Sequence, residues 1–148
     1  MRFLTVLALI CLFFACKRDT PAAAAPEQTA APAVPAVPVD TVLISLGPLQ
    51  FDTLLNTKRN IMLFDLRPHS EYVKGHIWRS TSMDATDSLF YHRLASLGKE
   101  AEFALYDYDG HLAKEAGQKM KDYGFRKIYI LRDGLVTWGE TGRALQLK

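Results

Sequence analysis

Short apolar segments alternate with stretches of helical periodicity from residue 42 onward, and this alternation constrains the fold more than any other feature of the sequence. The segments typical of buried strands are residues 42–46, 61–66, 80–83, 103–106 and 127–131. Between them, apolar residues recur three or four positions apart, the spacing that gives a helix one apolar face. This order predicts an α/β fold of three layers, with a small central parallel β-sheet and helices on both faces.

Residues suited to helix ends mark where the helices should begin and stop. Gly47 and Pro48 are expected to open the first helix, Asp87 or Ser88 to cap the second, and Gly124 to end the third. The apolar positions at helical spacing are Phe51, Leu54 and Leu55, then Phe90, Leu94 and Leu97, then Leu112, Ala116, Met120 and Tyr123. A short helix is expected over 135–140, after the last strand.

The N-terminus carries an apolar run over residues 3–15 that ends at Cys16. Such a run is too short for a stable transmembrane anchor and is typical of a secretory signal peptide. The pair Ala15-Cys16 resembles the lipobox of bacterial lipoproteins, in which the cysteine is lipidated, although Phe13 and Phe14 depart from that pattern. Residues 1–16 are therefore interpreted as a lipoprotein signal peptide and lipobox, with lipidated Cys16 holding the protein to a bacterial membrane at the cell envelope. The alternative is an ordinary cleaved signal with an incidental cysteine.

The segment that follows, residues 17–40, is rich in alanine and proline and lacks aromatic residues. It cannot bury a core and is predicted to be a disordered tether. Residues 41–148 are long enough for one domain. Because the only cysteines are Cys11 and Cys16, this domain has no disulfide and no thiol nucleophile. The net charge of +2 gives no indication of a nucleic acid partner.

Two carboxylates, Asp107 and Asp109, come directly after the predicted strand 103–106. Sites in parallel sheets form at the carboxyl ends of strands. An apolar strand followed by Asp-x-Asp-Gly resembles the first motif of the haloacid dehalogenase phosphatases, which use an aspartate nucleophile and magnesium. Those enzymes carry the motif near the N-terminus, with further catalytic residues downstream. The short remainder of this chain does not supply them.

A second resemblance covers nearly the whole domain, from about residue 42 to about residue 145. The segment DLRPHSEYVKGHI, residues 65–77, matches the rhodanese signature Asp-x-Arg-x-x-x-Glu-[Phe/Tyr]-x-x-Gly-His-Ile, and residues 123–142 are similar to the second signature, with Asp133 where a glycine is usual. The resemblance implies the rhodanese-like fold. It also implies structural roles for the signature residues Asp65, Arg67, Glu71, Gly75, His76 and Trp138. Asp65, Arg67, Glu71 and His76 would tie the loop after the second strand to the sheet edge, and Trp138 would pack in the core.

The rhodanese family carries a catalytic loop, Cys-x-x-Gly-x-Arg, after the strand that corresponds to residues 103–106. Its thiolate accepts a sulfane sulfur, and backbone N–H groups stabilise the anion. Aligned on Gly110, the loop here reads Asp107-Tyr108-Asp109-Gly110-His111-Leu112. Asp107 then stands at the cysteine position and Leu112 at the arginine position. A carboxylate cannot form a persulfide, so the resemblance implies a pseudo-active-site loop without a catalytic residue.

The two aspartates admit two interpretations. We expect Asp107 or Asp109 to accept hydrogen bonds from the backbone N–H groups of residues 110–113 and to cap the following helix. The alternative is that they bind a metal, or act as nucleophile and base in a hydrolytic enzyme. His111 is expected to be exposed, without a catalytic role.

Together these features favour a binding, scaffolding or sensing module at the bacterial cell envelope. We expect no cofactor and no bound metal. The expected partners are the membrane, through Cys16, and a protein that the sequence does not identify. A working sulfurtransferase would need a thiol that the domain lacks. The aromatic residues expected to leave surface for a partner near the loop are Tyr72, Trp78, Tyr91, Tyr106 and Tyr108.

Overall fold

The structure is a computed structural model, and it describes residues 41–147. The described residues do not include residues 1–16, interpreted as a signal peptide and lipobox with Cys16. They also do not include residues 17–40, predicted to be a tether. The strands are β1 (Val42–Leu46), β2 (Met62–Asp65), β3 (Thr81–Ser82), β4 (Glu102–Tyr106) and β5 (Lys127–Leu131). The helices are α1 (Pro48–Thr57), α2 (His69–Tyr72), α3 (Phe90–Ala95), α4 (His111–Asp122) and α5 (Gly134–Trp138), with a 3₁₀ helix at Gly139–Thr141.

The five strands form one sheet in the order β1-β5-β4-β2-β3, and every neighbouring pair is parallel. This confirms the predicted central parallel sheet. β1 and β5 have the predicted bounds, whereas β2 and β3 are shorter than predicted. β2 ends at Asp65, whose side chain accepts a hydrogen bond from the backbone N–H of Arg67 at 3.0 Å and turns the chain out of the sheet.

The two faces of the sheet support two separate apolar clusters, because successive strand residues point to opposite faces. In β4, Phe103 and Leu105 lie in the cluster that includes residues of α3 and α4. The intervening Ala104 and Tyr106 lie in the cluster that includes residues of α1 and α5. The domain is therefore three-layered, as the sequence predicted, with a core on each side of the sheet.

The helices differ from the sequence prediction in three details. α3 begins at Phe90, later than predicted, because the Asp87 carboxylate accepts from the N–H of Leu89 at 2.9 Å and makes a turn before the helix. The buried face of α4 is built around Ala113 and Ala116, while Tyr123 lies half-exposed beyond the helix end. The short helix α2 was not predicted. Within residues 41–147, none of the helices has the length and apolar character needed to cross a bilayer.

Candidate functional site

The candidate site is the loop between β4 and α4, at the carboxyl end of the strand in the middle of the sheet. Its first side chain is buried, and the next two are exposed. Asp107 is only 1% exposed. Tyr108 is 65% exposed, and Asp109 is also exposed. The loop therefore buries the carboxylate of Asp107 and exposes that of Asp109 to solvent.

The carboxylate of Asp107 accepts two backbone hydrogen bonds at the start of α4. The N–H of Gly110 donates to Oδ1 at 2.8 Å, and the N–H of Leu112 donates to Oδ2 at 2.9 Å. The N–H of His111 donates to Asp109 Oδ1 at 3.1 Å. These are the contacts expected from the sequence, since the first N–H groups of a helix have no partner within the helix. Both Asp107 oxygens are thus bound inside the protein.

The ionisation of Asp107 reflects opposing influences. Burial raises the pKa of its carboxyl above the ordinary value, and the N–H donors of Leu112 and Gly110 act in the opposite direction. The nearby carboxylate of Asp109 raises the pKa further. The balance is a raised pKa, because the loss of hydration outweighs the backbone hydrogen bonds.

A second loop, between β5 and α5, holds the site loop in place. The N–H of Leu135 donates to the carbonyl of Asp107 at 3.0 Å, and the N–H of Val136 donates to the carbonyl of Tyr108 at 3.0 Å. The two loops touch at Gly134, where a Cβ atom would lie 2.5 Å from the Tyr108 carbonyl oxygen. Sequence reasoning missed this contact, for which Gly134 was the one visible signal.

Three of the signature residues meet beside the site. Arg67 donates from Nε to Asp65 Oδ1 at 2.9 Å and from a terminal nitrogen to Oδ2 at 2.5 Å. The same terminal nitrogen donates to the carbonyl of Gly75 at 2.7 Å. Asp65 and Arg67 are both buried, so this ion pair ties the end of β2 to the loop that follows α2.

The other signature residues have different surroundings. The ring of His76 stacks on Tyr72 at 3.9 Å, and its backbone makes an antiparallel bridge with Gln146. Glu71 does not join the buried ion pair. It pairs with Lys74 at 2.6 Å on the surface. Trp138 is buried in the core, as expected, with its ring edge-on to Phe51.

Tyr106 is a structural residue that the sequence did not indicate. Its side chain is fully buried, and its hydroxyl accepts from the N–H of Ile77 at 3.0 Å and bonds the Ser80 hydroxyl at 2.9 Å. Burial raises the pKa of this phenol. Tyr106 thus connects the strand that ends at the site with the segment leading to β3.

An open cleft of about 390 Å³ lies at the mouth of the loop. Its lining residues are Arg67, Pro68, Glu71, Asp107, Tyr108, Asp109, His111 and Leu112. Of the aromatic residues expected here, only Tyr108 lines the cleft. Tyr72 and Tyr106 are buried, and Trp78 and Tyr91 line other cavities. In residues 41–147 no cluster of three or more His, Cys, Asp or Glu side chains is arranged to hold a metal ion.

The molecule is a small α/β domain with a parallel sheet, and backbone N–H groups bind a carboxylate at the end of the middle strand. The profile of the rhodanese-like domain family matches residues 48–141. The chain belongs to that family.

Individual relatives agree with this assignment. The chain is 28% identical to the thiosulfate sulfurtransferase GlpE of Coxiella burnetii over 81 residues, which is 55% of this chain and 74% of that protein. A solved rhodanese-like domain from Anabaena superimposes with a TM-score of 0.62 at 22% identity, covering 70% of this chain and 79% of that one. The polysulfide-sulfur transferase homodimer of Wolinella succinogenes gives 0.59 at 24% identity, covering 72% and 80%. At these identities the solved structures show the fold alone.

Proposed function

We propose that this rhodanese-like domain does not transfer sulfur and instead binds a protein partner at the bacterial cell envelope. The observation that carries the proposal is the surroundings of Asp107. Aligned on Gly110, Asp107 takes the position of the family cysteine, and its oxygens accept the N–H groups of Gly110 and Leu112 at 2.8 and 2.9 Å. In this proposal, the protein's own carboxylate occupies the cradle that would otherwise hold an anion.

The chemistry of the loop supports the loss of sulfur transfer. The thiolate is the sulfur nucleophile in such transfers, and both cysteines of this chain, Cys11 and Cys16, precede the domain. Leu112 supplies no positive charge at the position of the family arginine. The exposed carboxylate of Asp109 adds negative charge, which disfavours thiosulfate.

A sulfur-transfer assay tests the non-catalytic part of the proposal. We expect the full-length chain to show no transfer from thiosulfate to cyanide above a heat-denatured control. The double variant Asp107→Cys/Leu112→Arg should gain one sulfur atom by mass spectrometry after incubation with thiosulfate, because it places a thiolate among the same N–H donors. Asp109→Cys is the matched control, with its thiol outside those donors, and should gain none. Turnover by the wild-type chain would overturn the proposal.

Envelope anchoring rests on the apolar run that ends at Ala15-Cys16. Stable attachment takes more than one acyl chain, as in a triacylated cysteine. We expect Cys16→Ser to release the protein into the soluble fraction or to block its processing. Cys11→Ser should leave it in the membrane fraction. A wild-type protein found only in the soluble fraction would contradict anchoring.

We propose the cleft beside Tyr108 as the partner-binding surface, because Tyr108 lines it and is 65% exposed. Aromatic residues often supply much of the energy of protein interfaces. Affinity capture with the full-length chain should recover a defined protein, and Tyr108→Ala should reduce that recovery. Tyr123→Ala is the control, since Tyr123 is also exposed but lies away from the cleft. Equal recovery by both variants would show that the partner does not bind at the cleft.

A further inference from the structure

A second cavity, of about 330 Å³, lies away from the Asp107 loop and shares no lining residue with the cleft. Its lining residues are Asp52, Leu55, Asn56, Leu63, Ile77, Trp78, Arg79, Trp138, Arg143 and Ala144. Leu55, Leu63, Ile77 and Trp138 belong to the apolar cluster on the α1 and α5 side of the sheet. The cavity therefore has an apolar floor, and its volume is at the small end of the range for ligand sites.

Trp138, one of the lining residues, has a buried polar atom without a partner in residues 41–147. The side chain of Trp138 is only 3% exposed, and its Nε1–H finds no acceptor among the residues the structure describes. Buried indole N–H groups ordinarily donate a hydrogen bond, and leaving one without an acceptor costs about 1–3 kcal/mol. The Nε1 atom is closed to solvent, so a ligand reaches it only if the indole tilts. No hydrogen bond of the ring opposes that tilt.

The charged residues at the rim leave one positive charge in excess. Arg143 pairs with Asp52 at 2.5 Å. Arg79 donates to the backbone carbonyls of Leu55 at 3.2 Å and Arg59 at 2.6 Å, and no carboxylate within residues 41–147 lies at ion-pair distance from it. Two arginines facing one aspartate favour a singly charged anion.

The segment Trp78-Arg79 has an unusual conformation at the cavity. Arg79 has φ 70°, which is rare for a residue with a side chain, and its guanidinium lies 5.4 Å from the centre of the Trp78 ring. Trp78 is 58% exposed even though it lines the cavity. Strained backbone of this kind clusters at ligand sites, and here it presents a flat aromatic ring beside a cation.

We propose that this cavity binds a small carboxylate with an aromatic body, a site separate from the proposed partner-binding cleft. The apolar body packs against Leu55, Ile77 and the two tryptophans. The carboxylate accepts the Nε1–H of Trp138, and Arg79 balances its charge. A charge-assisted hydrogen bond is about twice as strong as a neutral one, so the charged form of a ligand should be preferred.

The test uses the indole N–H resonances of the full-length chain, because the chain has only two tryptophans and both line the cavity. Phenylacetate is the probe, phenylacetamide the neutral analogue of the same shape, and acetate the analogue without the apolar body. Phenylacetate should shift both indole cross-peaks in a ¹H–¹⁵N spectrum, that of Trp138 downfield. Trp78→Phe assigns the remaining peak. Phenylacetamide should bind about tenfold more weakly, and acetate should leave the peaks unmoved.

Variants separate this site from non-specific binding. Arg79→Gln should weaken phenylacetate binding about tenfold, and Arg79→Lys should retain most of it. Ala144→Phe should abolish binding by filling the cavity, and it keeps the test valid if Arg79→Gln fails to fold. Lys119→Gln removes one positive charge from α4 and should have no effect. Unmoved indole peaks, equal binding of the amide, or equal effects of Lys119→Gln and Arg79→Gln would overturn the proposal.

Discussion

Asp107 and Trp138 are both buried and both carry a polar group, but only one of these groups is satisfied. Asp107 is 1% exposed, and each of its oxygens accepts a backbone N–H. Trp138 is 3% exposed, and its N–H has no acceptor within residues 41–147. The comparison teaches that burial alone does not mark a binding site. A satisfied group gains nothing from a further partner, whereas an unsatisfied donor can still gain a hydrogen bond if a ligand atom reaches it.

The largest expected effect on stability is that of replacing Asp107, whose two oxygens both accept hydrogen bonds. Asp107→Ala removes the acceptor of two N–H groups at the start of α4. We expect it to lower the free energy of unfolding by about 2–4 kcal/mol, measured by urea denaturation. Asp109→Ala is the matched control, because its carboxylate is exposed and accepts one N–H at 3.1 Å. It should cost about 1 kcal/mol or less. Equal losses would show that the two buried N–H contacts of Asp107 contribute no more than the single exposed contact of Asp109.

The ionisation of Asp107 can be tested by measuring stability over a series of pH values. The pKa of Asp107 is raised in the folded state, so folding stabilises its protonated form relative to the unfolded chain, whose aspartates titrate near 3.8. The stability contribution of Asp107 is present below that pH and declines as pH rises through the raised folded pKa. The stability of the wild type relative to Asp107→Asn should therefore fall over this interval, as followed by urea denaturation at each pH.

The control for the pH series is Asp109→Asn, which removes a negative charge from the same loop. The difference in the free energy of unfolding between Asp109→Asn and the wild type should vary less with pH than the difference between Asp107→Asn and the wild type. A relative stability of Asp107 that grows with rising pH would mean that the backbone N–H groups, and not burial, dominate its ionisation.

A smaller effect on stability is expected at Trp138, whose N–H lacks an acceptor within residues 41–147. Trp138→Phe deletes the N–H that lacks an acceptor and also removes part of the buried ring. The two changes offset each other, so the free energy of unfolding should fall by less than about 1 kcal/mol. Trp78→Phe, at an exposed ring, provides the baseline in the same thermal or urea measurement. A loss comparable to the ~3–5 kcal/mol typical of Trp→Ala would contradict this offset between the deleted N–H and the lost packing.

The smallest expected effect is that of divalent cations. Both Asp107 oxygens already accept backbone N–H groups, so a cation would have to displace them. Magnesium should leave the melting temperature of the full-length chain unchanged, as in the Asp107→Ala/Asp109→Ala variant. A rise in the wild type alone would support the alternative in which the two aspartates form a metal site.

The sequence predicted features that depend on residues close together along the chain. The bounds of β1 and β5 follow from their apolar pattern, and the capping by Asp107 spans only the five residues to Leu112. Helix α2 escaped prediction because its four residues are too few for a periodicity. The start of α3 was placed too early, since Asp87 caps a turn and not the helix itself.

What the sequence by itself determined is the α/β order of elements, the two-sided apolar pattern of the strands and the carboxylate at the end of β4. Only the tertiary structure decided which polar groups far apart in the sequence satisfy each other. The N–H of Leu135 reaches the Asp107 carbonyl, and the Tyr106 hydroxyl reaches Ser80, across long stretches of chain. The physical reason is that local patterns report propensity and burial, whereas a hydrogen bond depends on where distant segments place their atoms. Trp138 could be predicted as a core residue, but the missing acceptor of its N–H could not.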